Sequence, residues 1–299
     1  MSDRYSFAKG CLILMRPPNL PTAAADILTG GAIIGVFVQD GILWSYNFLA
    51  LILASILLYA GGVVLNDVFD AKIDALERPE RPIPQGVVSL RTAAILGGAL
   101  LMIGVLLSFL CHKEAGIVAV VLAGFILLYD ALAKNHSFFG PLVMGSCRGL
   151  NLLLGMSLLG FPEWSKWYFI MLPIIYIGAV TLISRGEVHG NNKRNIVLSG
   201  LLYALVASSI FLIMLRDRSS FFTVIPFLIL FVVSIFRPLI KAYRVNTPEH
   251  IKKAVKMGVL SLVLMDAALA SANSTWWVGV MIVLLLPLSL LLSKRFSVT

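Results

Sequence analysis

Acidic side chains recur at helical spacing where one very apolar stretch of the chain ends. Asp67, Asp70 and Asp74 are three and four residues apart, which places them within roughly 60° of one another on an α-helix. Carboxylates this close repel one another unless a cation lies among them, and Mg²⁺ prefers such oxygen ligands and often shares them with phosphate. Arg78 and Arg81 follow, and guanidinium groups suit phosphate oxygens. The spacing therefore predicts a magnesium–diphosphate site.

The composition indicates that the elements around this site lie in a bilayer. The chain has 299 residues, of which 59% are hydrophobic and 13% charged, and its mean hydropathy is +0.93. A soluble domain carries about 25% charged residues. The net charge of +9 is not accompanied by a basic run with interleaved aromatic residues, so we expect no nucleic-acid partner and assign the positive charges to membrane topology.

Apolar stretches near the ~20 residues needed to cross the hydrocarbon core recur along the whole chain. They predict an all-α, polytopic membrane helix bundle of nine or ten transmembrane helices, in which only residues 272–274 separate the last two. The candidate spans are residues 19–39, 47–67, 91–111, 115–133, 138–160, 166–186, 195–215, 219–241, 252–272 and 275–293.

The lysines and arginines predict the orientation of this bundle. With the N-terminus on the cytoplasmic side, nineteen of the 24 Lys and Arg residues fall on that side, four fall on the other, and Arg148 falls within a span. This excess follows the positive-inside rule. The Asp-rich segment and a second polar segment, residues 184–194, are therefore both expected on the cytoplasmic face.

The chain is expected to form one domain over residues 1–299, because no extramembrane stretch is long enough for a second one. The two polar segments are about 120 residues apart with four spans between them, which suggests two similar halves, roughly residues 15–135 and 136–295.

Four residues fit the NDxxDxxxD signature of the UbiA superfamily of intramembrane prenyltransferases: Asn66, Asp67, Asp70 and Asp74. Residues 78–89, RPERPIPQGVVS, are similar to that family's RPxRPIPxGxxS loop. Tyr129 with Lys134, and Arg16 with Pro17 before the first span, also match the family. The resemblance covers nearly the whole chain and implies an inner or plasma membrane location with a cytoplasmic active site.

The resemblance implies Mg²⁺ as the cofactor and an isoprenyl diphosphate as the donor. Mg²⁺ would bridge the four signature residues, Asn66, Asp67, Asp70 and Asp74, to the diphosphate. We expect Arg78, Arg81 and Lys134 to contact phosphate and Tyr129 to orient it. An apolar cavity would hold the isoprenoid tail and keep water from the allylic cation.

The second polar segment departs from the family's usual DxxxD or DxxGD motif. It contains Glu187, which can ligate Mg²⁺, and His189, which can hydrogen-bond phosphate or act as acid or base. Two arrangements stay open. Either Glu187 and amide oxygens such as that of Asn191 hold a second cation, or basic residues, including Arg185 and Lys193, replace it as the countercharge. This SRGEVHGNN segment, with residues 146–151, resembles the UbiA-like branch called EboC.

Two polar residues, Arg148 and Asn151, share one helix face inside a span. A charged residue at this depth usually faces the bundle interior and has a partner. The candidate partners are Asp26, Asp130 and Asp266. An internal tie between helices and a substrate contact both fit this pattern. Asn19 and Asp26 are expected near the acceptor.

The function predicted is Mg²⁺-dependent transfer of an isoprenyl group to an unidentified small or lipid acceptor within the membrane. The expected catalytic set is Asp67, Asp70, Tyr129, Lys134, Glu187 and His189. Two alternatives remain: a UbiA-like protein that binds an isoprenoid without transferring it, which the altered second motif suggests, and a secondary transporter, which intramembrane charges would suit. Transporter sites lie near the midplane, however, whereas these acids cluster at one face.

Overall fold

A computed structural model describes residues 6–38, 45–187, 190–216 and 221–296. Throughout these ranges the regular structure is helical, as the hydropathy predicts. The α-helices are α1 Phe7–Leu14, α2 Leu20–Ile33, α3 Tyr46–Phe69, α4 Ala71–Glu77, α5 Leu90–Cys111, α6 Lys113–Leu128, α7 Phe139–Met156, α8 Met171–Ser184, α9 Lys193–Arg216, α10 Phe221–Val245, α11 Pro248–Asn273, α12 Trp276–Val283 and α13 Leu285–Phe296. Short 3₁₀ segments cover Pro17–Asn19 and Trp164–Ile170, and Tyr129–Ala133 is a π-helical turn.

Within the described ranges, eight helical stretches are long and apolar enough to cross a membrane: Tyr46–Phe69, Leu90–Cys111, Lys113–Ala133, Trp164–Ser184, Lys193–Leu215, Phe221–Val245, Pro248–Asn273 and Trp276–Phe296. The other two predicted spans correspond to α2, which has 14 residues, and α7, which has 18 residues and carries Arg148. α2 covers residues 20–33 of the predicted span 19–39, in which residues 34–38 form a turn, and α7 covers residues 139–156 of the predicted span 138–160. α2 is too short to cross a membrane as one helix, and α7 carries the polar residues Arg148 and Asn151.

The helices pack in chain order, each long helix against the next, and α11 returns to contact α2. α2 is enclosed by α3, α7 and α11, so every residue from 21 to 33 is buried. Residues 261–271 of α11 are likewise all buried. These two helices therefore form the protein interior, and this explains how each can carry an aspartate at membrane depth.

Small residues allow α2 and α7 to approach closely. A Cβ atom at Gly30 would lie 2.7 Å from the backbone of Gly155, and a Cβ at Gly155 would lie 2.8 Å from the backbone of Ile27. Helix pairs in membranes commonly use small residues in this way, because dispersion contacts replace the hydrophobic driving force there. The contact fixes α7, and with it Arg148 and Asn151, against α2.

The first acidic motif spans the junction between α3 and α4. α3 ends at Phe69, yet the backbone hydrogen bonds continue across Asp70, from Asp70 N to Asn66 O at 2.9 Å and from Asp74 N to Asp70 O at 2.8 Å. Asp67 and Asp74 therefore stay about two turns apart on one side. The loop after α4 folds back, and Ser89 caps α5 by accepting a hydrogen bond from Thr92 N at 3.1 Å.

Candidate active site

Arg81 bridges two of the three motif aspartates. Its Nη1 lies 3.0 Å from Asp67 Oδ1 and 2.5 Å from Asp74 Oδ2. Both carboxylates are buried, with 5% of Asp67 and 4% of Asp74 exposed. Buried carboxylates need a compensating charge, and the loop after α4 supplies it. The arrangement brings together the acids and the arginine that the spacing singled out.

A second guanidinium reaches Asp67 from the N-terminal segment. Arg16 Nη2 donates to Asp67 Oδ1 at 2.6 Å. Burial lowers the pKa of Arg16, but the charges of Asp67, Tyr59 and Asp74 and the hydrogen bond to Asp67 together outweigh it and raise this pKa above its usual value. The residue has a φ of 49°, a conformation that costs about 1–3 kcal/mol for a non-glycine residue and persists where surrounding contacts hold it. Arg16 was absent from the predicted site residues, and the Arg-Pro pair before the first span was its only signal.

The third motif aspartate pairs with a lysine from another span. Lys134 Nζ donates to Asp70 Oδ1. Lys134 directly follows the π-helical turn, and its backbone N–H bonds to Tyr129 O at 3.0 Å, an i to i+5 bond. Single π turns of this kind frequently occur at functional sites. The π turn places the Tyr129 and Lys134 pair on the same side as the acidic motif.

Asp130, beside Tyr129, contacts the first motif as well. Asn66 Nδ2 donates to Asp130 Oδ1 at 2.9 Å. Asp130 is only 3% exposed, and its Oδ2 has no hydrogen-bond partner among the described residues. The sequence suggested Asp130 as a partner for Arg148. The structure instead pairs it with Asn66.

A cavity of about 300 Å³ extends from this polar cluster into the bundle. Its polar end is formed by Arg16, Asn66, Tyr129 and Asp130. The remaining wall is largely apolar and is contributed by α3, α6, α7, α8 and α11. It includes Gly62, Val63, Leu122, Ile126, Met144, Cys147, Ile177, Val259 and Leu262, with Tyr59. Asn19, at the start of α2, is not part of this lining.

Arg148, Asn151 and Thr22 form a polar patch deeper in the same cavity. Arg148 Nη2 donates to Thr22 O at 2.7 Å, and its Nε lies 3.1 Å from Asp26 Oδ2. Asn151 Nδ2 donates to the same Asp26 oxygen at 2.7 Å. Of the three candidate partners of Arg148, Asp26 makes the ion pair. These contacts link α7 to α2 inside the protein, and Arg148 and Asn151 also line the cavity.

The second polar segment lies beside the first. Glu187 is half-buried, and burial raises its pKa, although the positive charges of Lys252 and Arg78 oppose this. Arg78 belongs to the first motif, so the two segments share an electrostatic environment. His189 and Val188 lie outside the described residues.

Among the other predicted residues of this segment, Arg185, Lys193 and Asn192 make contacts within the protein, and Asn191 is exposed. Arg185 donates to Ser137 O. Lys193 Nζ lies 5.5 Å above the Tyr243 ring. Asn191 is exposed and has a φ of 52°. Asn192, which the sequence placed in the motif, instead closes the loop by donating to Leu182 O and Ile183 O. These four residues do not line the cavity.

The donor atoms around Asp67 are all oxygens, from carboxylates and the Asn66 amide. This chemistry suits a hard cation such as Mg²⁺ and does not suit zinc. Within the described ranges no three His, Cys, Asp or Glu side chains converge as a preformed metal cluster. The three motif aspartates instead have Arg and Lys partners. A cation bound here would therefore share or replace these pairs.

Comparison with protein families gives one match over most of the chain. The model of the UbiA prenyltransferase family matches residues 28–257. The chain therefore belongs to the UbiA prenyltransferase family and is an enzyme of that family.

Among curated proteins, the chain is similar to several digeranylgeranylglyceryl phosphate synthases. It is 34% identical to that of Saccharolobus solfataricus over 179 residues, which cover 58% of this chain and 60% of the relative. It is 36% identical to that of Metallosphaera sedula over 151 residues, 50% of this chain and 52% of the relative. The matches thus span little more than half of these relatives. These relatives are named as digeranylgeranylglyceryl phosphate synthases and not as members of the EboC branch that the second polar segment resembles.

Solved structures share the fold over nearly the whole chain. A digeranylgeranylglyceryl phosphate synthase in membranes has a TM-score of 0.64 at 20% identity, covering 89% of this chain and 98% of that one. A UbiA homologue from Archaeoglobus fulgidus bound to GPP and Mg²⁺ has a TM-score of 0.66 at 13% identity, covering 87% and 99%. These likenesses establish the fold. The chain is an integral membrane protein with about eight transmembrane helices.

Proposed function

We propose that this enzyme catalyses Mg²⁺-dependent transfer of an isoprenyl group from an isoprenyl diphosphate to an acceptor within the membrane. The observation that carries the proposal is the position of the paired charges. Asp67, Asp70 and Asp74, with their Arg and Lys partners, adjoin the polar end of a largely apolar cavity. A substrate with a strongly anionic head and a hydrocarbon tail complements this distribution.

The cationic side chains suit the diphosphate. As the allylic C–O bond breaks, negative charge grows on the leaving diphosphate, and positioned cations stabilise it. Arg16, Arg81 and Lys134 are the basic groups already directed at the acidic motif. Arg78 lies close enough to Glu187 to influence its charge and is proposed as a further phosphate contact.

The metal would be held by Asn66, Asp67, Asp70 and Asp74, with Glu187 as a further oxygen ligand from the second segment. When bound, Mg²⁺ would act as a Lewis acid on the diphosphate oxygens. Support comes from the oxygen-only donor set and from the Mg²⁺ bound by the Archaeoglobus fulgidus homologue. The apolar wall around Leu122 and Ile126 would hold the tail and exclude water from the cation formed at C1.

For the acceptor, we propose a glyceryl phosphate lipid. The relatives from Saccharolobus solfataricus and Metallosphaera sedula are named for a product with two geranylgeranyl groups on glyceryl phosphate. The corresponding reaction here would add a geranylgeranyl group to the free hydroxyl of a glyceryl phosphate that already carries one. The resemblance of residues 184–192 to the EboC branch is a narrower hypothesis and identifies no acceptor.

The test is release of diphosphate by purified protein in detergent with Mg²⁺. Geranyl, farnesyl and geranylgeranyl diphosphates are each offered with geranylgeranylglyceryl phosphate or with a membrane lipid extract. We expect acceptor-dependent release that is lost with a chelator and in Asp70→Ala. Tight donor binding without release would favour a non-catalytic isoprenoid-binding protein. Neither binding nor release, with ion-coupled uptake into proteoliposomes, would favour the transporter.

A further inference from the structure

One buried carboxylate oxygen of a cavity-lining residue has no hydrogen-bond partner among the described residues. Asp130 is 3% exposed, and although its Oδ1 accepts from Asn66 Nδ2, its Oδ2 makes no hydrogen bond within the described part of the chain. An unpaired buried carboxylate oxygen is costly, because it has lost water without replacement. A ligand that donates a hydrogen bond to this oxygen would remove that cost.

The backbone holds Asp130 at the cavity. Asp130 lies in the π-helical turn Tyr129–Ala133 and lines the cavity together with Asn66 and Tyr129. The nearest lysine in sequence, Lys134, is already paired with Asp70. Arg16, Arg81 and Lys134 are therefore directed at Asp67, Asp70 and Asp74, and none of the three forms an ion pair with Asp130.

The chemistry of the two substrates decides what this oxygen can bind. The polar end of an isoprenyl diphosphate carries phosphate oxygens, which are acceptors and negatively charged, so a carboxylate repels it. A hydroxyl group donates a hydrogen bond to a carboxylate, and such bonds are among the stronger ones in proteins. Asp130 therefore suits the acceptor substrate and does not suit the donor.

We propose that the acceptor of this enzyme is a hydroxyl compound and that its O–H donates a hydrogen bond to Asp130 Oδ2. This rests on the proposed prenyl transfer and adds the residue that recognises the acceptor. Asn66 connects Asp130 to the proposed diphosphate end, so the bound hydroxyl oxygen would lie on the side where C1 reacts. That oxygen forms the new bond to C1, and the bond between C1 and the diphosphate oxygen breaks with its electron pair passing to diphosphate. The hydroxyl proton passes to Asp130 Oδ2, the oxygen to which it is hydrogen-bonded.

The experiment compares two ligands that differ only in the hydrogen-bond donor. Geranylgeranylglyceryl phosphate and its O-methyl ether are titrated into the full-length protein by equilibrium binding, with Mg²⁺ and the unreactive geranylgeranyl thiolodiphosphate present. The variants are Asp130→Asn, which retains an acceptor for Asn66, and Asp130→Leu, which removes both oxygens. Glu249→Gln, the same carboxyl-to-amide change at an exposed position of α11, is the matched control.

We expect wild type and Glu249→Gln to prefer the hydroxyl ligand over the ether by roughly 10- to 100-fold. Both Asp130 variants should lose this preference while binding the thiolodiphosphate within about twofold of wild type. If Asp130→Leu fails to fold, Asp130→Asn still tests whether Asp130 binds the acceptor hydroxyl.

Two results would overturn the proposal. In one, wild type does not prefer the hydroxyl ligand, or the preference survives in Asp130→Asn. In the other, thiolodiphosphate binding and its dependence on Mg²⁺ fall in parallel in the Asp130 variants, which would assign Asp130 to the metal and diphosphate instead. A wild type that shows the preference but never turns over would contradict prenyl transfer and leave the Asp130 contact standing.

Discussion

Arg16 Nη2 lies 2.6 Å from Asp67 Oδ1. This contact ties the segment before α2 to the end of α3, across 51 residues of sequence. Because Arg81 reaches the same oxygen from the other side, the buried Asp67 carboxylate carries two guanidinium partners. The N-terminal segment thus contributes directly to the charge balance of the site.

Removing Arg16 should weaken donor binding. Arg16→Ala leaves the proposed diphosphate end with one cation fewer, so we expect the KM for isoprenyl diphosphate to rise by roughly 10- to 100-fold, as loss of a charged hydrogen bond does. Arg16→Lys should recover part of this, since it keeps the charge without the fork. Steady-state kinetics measure both, with the exposed Arg91→Ala as control. An unchanged KM in Arg16→Ala would show that the contact is only structural.

Lys134 and Asp70 should act as a pair in binding the donor. Asp70→Ala and Lys134→Ala each remove one member, and we expect each to weaken binding of a thiolodiphosphate analogue. Because the two side chains are in contact, the double variant should lose less than the sum, with a coupling energy of about 0.5–3 kcal/mol. Calorimetric titration of the four proteins gives the cycle. Strict additivity would contradict a shared role.

Arg148 should matter first for stability. Arg148→Met leaves the buried Asp26 carboxylate without its cation, and losing one member of a buried pair costs about 3–5 kcal/mol. Thermal unfolding in detergent should show this loss, and adding Asp26→Asn should restore most of it. A stable Arg148→Met protein that no longer binds acceptor would instead identify Arg148 as a substrate contact.

The close crossing of α2 and α7 should be intolerant of any side chain at Gly155. Gly155→Ala would place Cβ 2.8 Å from the backbone of Ile27, and forcing a packed interface apart costs about 1–3 kcal/mol. Gly98→Ala in α5 is the matched control, since its Cβ meets nothing within 4 Å, and Ala favours a helix over Gly. The two variants should shift the unfolding midpoint in opposite directions. Equal shifts of the unfolding midpoint would show that the α2–α7 contact tolerates a methyl group at Gly155.

The sequence by itself determined what depends on local spacing and hydropathy. The presence of a helix in each of the ten predicted stretches, within the described residues, followed from apolar length. The location of Asp67 and Asp74 on one side of the helix followed from their spacing of seven residues. The family was predicted by the signature that begins at Asn66 and by the loop at residues 78–89, and the match to the UbiA prenyltransferase family confirmed it. These features are readable because a helix hydrogen-bonds within itself, so residues three, four or seven apart have a fixed relation.

Only the tertiary structure decided which distant residues meet. Asp26, Asp130 and Asp266 were equal candidates for Arg148, and the crossing of α2 and α7 selected Asp26. The π turn and the packing around α3 paired Asp130 with Asn66, and the second carboxylate oxygen of Asp130 has no hydrogen-bond partner among the described residues. Arg16 reaches Asp67 because the N-terminal segment packs beside α3. Such pairings depend on where separate helices cross, and that is set by packing of side chains over the whole bundle and not by the spacing of residues along any one helix.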